Sequence, residues 1–115
     1  MPSQEELRLI KKAAKGILKD CFWGDYTIDE KDIENIILNP YEDMELTKLI
    51  LSKILYNSRD LLFHLDRFPK ELVKDYIDNF RIGPYRKKEM EKRIAIIRIG
   101  LFDEKIEFKG LTWNF

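Results

Sequence analysis

The chain has 115 residues, 44% hydrophobic and 37% charged, and its 21 basic residues balance 21 acidic ones. That mixture is too apolar for a disordered tail and too charged for a membrane span, and the length suits one domain over 1–115. No apolar run approaches the roughly 18 residues a transmembrane helix needs, and MPSQEELRLIKK lacks the apolar core and cleavage site of a signal peptide, so a soluble cytoplasmic protein is expected.

In chain order, Ser3 and Glu6 make a capping-box pattern, and Leu7, Ile10, Ala14, Ile17, Leu18 and Cys21 recur at helical spacing behind it. FWGDYT breaks this first helix at Gly24, and Thr27 with Glu30 offers a second box ahead of Ile33, Ile36 and Ile37. The second helix should end near Asn39. Asn39 as N-cap and Pro40 at the first helical position predict a third helix, in which Met44, Leu46, Leu49, Ile50, Leu51, Ile54 and Leu55 cover most of the circumference. This central, buried helix over about 40–68 either runs through to Phe68 or breaks at Asn57-Ser58.

Pro69 marks a further helix start, with an apolar stripe of Leu72, Val73, Tyr76, Ile77 and Phe80 and a stop at Gly83-Pro84. PYRKKEMEKR restarts as helix. The following IAIIRIGLF suits helix or strand, because β-branched side chains are stiff in helices; helix to about Ile99 is the preferred reading. KIEFKGLTW alternates around Ile106, Phe108, Leu111 and Trp113, which predicts a short C-terminal strand or hairpin. The fold expected is mainly α: a compact bundle of four to five helices around the central one.

The chemistry is narrowed by what is scarce. With one cysteine, Cys21, and one histidine, His64, a Cys/His zinc site within the chain is excluded, and Cys21 reads as a small buried hydrophobe. Scattered glycines argue against a phosphate-cradling loop, and Ser58, six residues before His64, has no nucleophile-elbow motif. Asp29, Glu30 and Asp32 read as an acidic first helical turn more than as a magnesium site. No cofactor and no metal are expected. Abundant isoleucine, lysine and glutamate with a single glutamine, Gln4, is a bias shared by hyperthermophiles and AT-rich genomes.

Charge is unevenly spread. Eight acidic residues against Lys31 lie between Asp25 and Glu45, whereas Arg81, Arg86, Lys87, Lys88, Lys92, Arg93 and Arg98 oppose only Glu89 and Glu91. This basic segment is either a solvated, ion-pairing face, with the acidic stretch as its complement, or a nucleic-acid surface with Tyr85 and Phe80 as stacking faces.

NSRDLLFH holds the one histidine. On a helical wheel Leu61, Leu62, Leu65 and Phe68 share a face, His64 flanks it, and Asp60 lies one turn below His64. Phe63 falls on the polar side near Arg59 and Arg67, so it either packs on another helix or is left for a partner, which suggests an oligomer interface at Phe63 and Arg67. RDLLFH resembles the arginine, polar residue, three variable residues, histidine signature of the HEPN superfamily, and FPKELVKDYI is similar to the amphipathic segment that often follows it; the likeness covers Ser58 to Ile77. The resemblance implies an all-helical dimer with a composite, metal-independent ribonuclease site in which Arg59 and His64 act and Asp60 supports them. The residues themselves favour a small non-enzymatic accessory protein, which binds a protein partner or its own copy through apolar helix faces and nucleic acid through Arg81–Arg98.

Overall fold

The computed structural model describes residues 3–22 and 28–104. They form six helices: α1 (Gln4–Cys21), α2 (Glu30–Leu38), α3 (Met44–Asn57), α4 (Leu61–Leu65), α5 (Lys70–Asn79) and α6 (Lys87–Phe102). No strand occurs among the described residues, and the hairpin predicted around 106–113 lies outside them. None of the described helices is long and apolar enough to cross a membrane.

Local signals start the first two helices. The Ser3 side chain accepts the Glu6 N–H at 3.1 Å, and α1 then buries Ala13, Ala14, Ile17 and Cys21 at helical spacing. Thr27 is outside the described residues. The capping box of α2 is made instead by Asp29 and Asp32, each accepting the other's backbone N–H at 2.9 and 3.0 Å. Two of the three acids in that cluster therefore serve the helix start.

The bundle centres on α3, which packs against α1, α2, α4 and α6. Ile50, Leu51, Ile54 and Leu55 are all but sealed from solvent, each contributing on the order of 1.5–3 kcal/mol of apolar burial. The expected start of this helix is corrected. Asn39 does not start it but closes α2, donating its N–H to Asn35 O at 2.9 Å, and Asp43 is the cap, accepting the Leu46 N–H at 3.1 Å. Pro40 lies in the intervening turn, where its carbonyl accepts the buried Thr47 hydroxyl at 2.7 Å. Of the two readings of 40–68, the break at Asn57-Ser58 is the one found: α3 ends at Asn57 and the chain resumes as the five-residue α4.

After Pro69, α5 buries Leu72, Val73 and Ile77, and it ends at Asn79, before the Gly83-Pro84 pair. The ambiguous IAIIRIGLF is helical: Met90, Ile94, Ile97 and Leu101 recur at spacings of four, three and four, so one face of α6 meets the core. A Cβ at Gly100 would come within 2.5 Å of the Leu62 side chain, so a side chain there would require Leu62 to shift.

Candidate functional site

The break between α3 and α4 builds the environment of the histidine. Ser58 closes α3, donating its N–H to Ile54 O at 3.0 Å, and its extended backbone turns the chain so that α4 doubles back beside it. The Ser58 hydroxyl then lies 2.6 Å from His64 Nδ1 and accepts the Asp60 N–H at 3.2 Å. The hydroxyl retains both its donor and a second lone pair, so it holds Nδ1 in either neutral tautomer, donating to a bare Nδ1 or accepting from an Nδ1–H.

His64 is 3% exposed and Ser58 2%. The outer edge of the ring faces the backbone of α1 at Gly16, where a Cβ would sit 2.7 Å from Nε2. Burial pulls the imidazole below its ordinary value near 6.5, against the opposing charges of Asp60 and Asp20. The folded protein thus holds this proton less tightly than the unfolded chain, so His64's contribution to stability is complete above about pH 6.5 and is lost as pH falls through the folded value. Urea unfolding should show a lower midpoint near pH 5.5 than near pH 7.5, with the difference reduced in His64→Gln. Equal midpoints in the native chain would contradict that sign.

Arg59 and Asp60 are exposed at the start of α4. Arg59 is tied to α1 through its backbone, whose N–H donates to the Asp20 carboxylate at 3.0 Å. The Asp60 carbonyl accepts the His64 N–H at 3.0 Å, the ordinary helical bond. An open groove of about 320 Å³ lies between α1 and α4, lined by Lys12, Lys15, Gly16, Lys19, Asp20, Asp60 and Phe63, with an edge of His64 itself in its wall. The three lysines were not singled out from the sequence; Gly16 among apolar helix positions was the signal of a close approach there.

Phe63 is half-buried rather than left bare. Its ring lies between Lys12 Nζ at 5.5 Å and the Arg67 guanidinium at 4.8 Å, and Arg67 also donates to the Phe63 carbonyl at 3.3 Å and to Asp66 at 3.0 Å. Within one chain, cations from α1 and the α4–α5 link thus already cover the residue that the wheel placed on a polar face.

The basic segment divides. Arg93 is turned inward: its guanidinium donates to the carbonyls of Leu55, of Ile54 at 3.1 Å and of Ser58 at 2.7 Å at the end of α3, where helical N–H donors run out, although Ile54 O also accepts the Ser58 N–H. Burial lowers its pKa without threatening its charge. Arg98 pairs with Asp78 at 2.9 Å and Glu104 at 3.3 Å, and Arg86 holds Glu89 with its Nε at 2.9 Å. The partners of Arg98 and Arg86 within the chain are thus acids close to the basic segment and not the stretch before Glu45. Arg81, Lys87, Lys88 and Lys92 remain exposed.

The cysteine behaves as read from composition: Cys21 is buried, and burial pushes its thiol up to about 12. Among the described residues no group of three or more His, Cys, Asp or Glu side chains is gathered to hold a metal ion.

Fold and site together define a six-helix bundle with a serine-held histidine in the wall of a lysine-lined groove. Comparison with known proteins finds no match: no family model fits the chain, and no curated protein or solved structure is significantly similar to it. The HEPN resemblance therefore stands on its own short motif.

Proposed function

We propose that this chain is a small non-enzymatic accessory protein, working in the cytoplasm, that binds partners through its surface, with Arg81, Lys87, Lys88 and Lys92 contacting nucleic acid. The observation that carries this reading is the setting of His64. A general acid or base must reach the proton it moves, whereas this imidazole is 3% exposed and its Nδ1 is occupied by Ser58 at 2.6 Å. Arg59 is exposed, with its backbone N–H donating to Asp20, and on this reading it serves surface contacts instead.

The test is incubation of a labelled RNA with the native chain and with Arg59→Ala, in chelator and without added metal. Arg59 is exposed, so its removal leaves the packing intact. The expected result is no cleavage above buffer by either protein. Cleavage by the native chain that Arg59→Ala abolishes would overturn the reading in favour of the composite Arg59–His64 ribonuclease.

A further inference from the structure

The face beside the α5–α6 link carries a feature that neither the basic segment nor the histidine accounts for. Four aromatic rings from α3, α5 and that link form a continuous row. Tyr85 and Tyr56 have centroids 6.4 Å apart, Tyr56 and Phe80 6.0 Å, and Phe80 and Tyr76 5.9 Å. Tyr56, Tyr76 and Phe80 are half-buried, so the row is anchored in the bundle. Tyr85 at its end is 70% exposed, more than any other large apolar or aromatic side chain among the described residues.

Two open grooves lie along this row, one lined by Phe80 and the other by Tyr56, whose rings are in contact. One, of about 360 Å³, has Lys48 and Arg81 beside Tyr76 and Phe80; the other, of about 340 Å³, has Lys53 and Arg86 beside Tyr56 and Tyr85. Asp75 lines the first groove and is engaged by Asn79, and Arg86 is paired with Glu89, so the cations prevail without being unopposed. The Arg86 guanidinium also lies 5.9 Å from the Tyr85 ring centre.

Both grooves are shallow, which disfavours a small molecule that needs most of its surface enclosed. Aromatic faces alternating with cations along an open track match a polymer of flat bases and regular negative charge. Bases paired in a duplex are stacked on each other and cannot reach such a ring, whereas unpaired bases can. We infer that the row Tyr85–Tyr56–Phe80–Tyr76, flanked by Lys48, Lys53, Arg81 and Arg86, is a binding track for single-stranded nucleic acid, with Tyr85 as the exposed stacking platform. The inference rests on the nucleic-acid part of the proposed function and specifies the strand state of the ligand and the residues that read it.

The experiment is fluorescence anisotropy of the native chain with a fluorescein-labelled single-stranded RNA of about 12 nucleotides and with the same RNA in duplex, at low salt. Single strand should bind more tightly than duplex. Tyr85→Ala should weaken the single strand about tenfold, the scale of one lost base–aromatic stack. Tyr85→Phe should retain binding, and the duplex should not distinguish the variants. Equal binding of both RNAs that ignores Tyr85→Ala but collapses in Arg81→Glu/Lys53→Glu would overturn the stacking track and leave the polyanion surface standing. Binding of neither RNA would overturn both.

Discussion

Replacement of Arg93 by methionine is expected to destabilise the protein by about 3 kcal/mol, lowering the melting temperature by on the order of 10 °C. Methionine preserves most of the apolar stem, so the loss reports the guanidinium. Without it the carbonyls of Leu55 and Ser58 lose their charged donor inside the bundle, and Ile54 O keeps only the Ser58 N–H. A cation at a helix C-terminus is also favoured by the helix dipole, so that stabilisation of α3 disappears as well. Arg93→Lys should recover less than half, because one ammonium cannot reproduce a planar fork aimed at three acceptors. Chemical denaturation of the three proteins reads the outcome; a loss below about 1 kcal/mol for the methionine variant would mean that water replaces the guanidinium without difficulty.

The second large effect is expected at Gly16. In an exposed helix interior, alanine in place of glycine adds about 1 kcal/mol of stability. Here the added Cβ would meet His64 Nε2 at 2.7 Å and Cε1 at 3.2 Å. The ring cannot swing away freely, since Ser58 holds Nδ1 and the side chain is packed between α1 and α4. Gly16→Ala should therefore cost about 2 kcal/mol, the usual scale of overpacking. In the double variant Gly16→Ala/His64→Ala the clash is gone, so the two changes should couple by more than about 1 kcal/mol in a double-mutant cycle. A Gly16→Ala protein at least as stable as the native chain would show that the imidazole is not clamped against α1.

These two residues also mark the limit of what the sequence discloses. The stripes of α1, α2 and α5 are legible because the signal is local: Ala14, Ile17 and Cys21, or Leu72, Val73 and Ile77, repeat within one helix and face one core. The isoleucine-rich part of α6 is harder, since β-branching argues for a strand; its helix is decided by the Met90–Ile94–Ile97–Leu101 face meeting α3 and α4. Asn39 misleads because asparagine serves either end of a helix, and the Asp43 cap bond settles which end it marks.

The site is less legible than the fold. RDLLFH directs attention to Arg59, Asp60 and His64, yet the partner that fixes the imidazole is Ser58, brought beside it only because the helix breaks between them. Arg93 reads as one more charge in a basic run, and its acceptors lie some 35 or more residues earlier in the chain. Tyr56 and Tyr76 read as helix-face residues until the packing of α3 and α5 aligns them with Phe80 and Tyr85. Contacts across such separations depend on tertiary packing, which periodicity does not encode.

On the proposed reading His64 is a largely buried packing and hydrogen-bonding group, with only an edge in the groove between α1 and α4, and does not act as an acid or base on a substrate. As the chain's one histidine, it gives a single imidazole signal, so an NMR titration of its Cε1 proton tests the claim without assignment by mutation. The midpoint should fall below the ordinary value near 6.5, because burial outweighs the attraction of Asp60 and Asp20. A midpoint at or above 6.5 would contradict this placement of His64, showing that burial does not outweigh the Asp60 and Asp20 charges and that the imidazole can carry a proton near neutral pH.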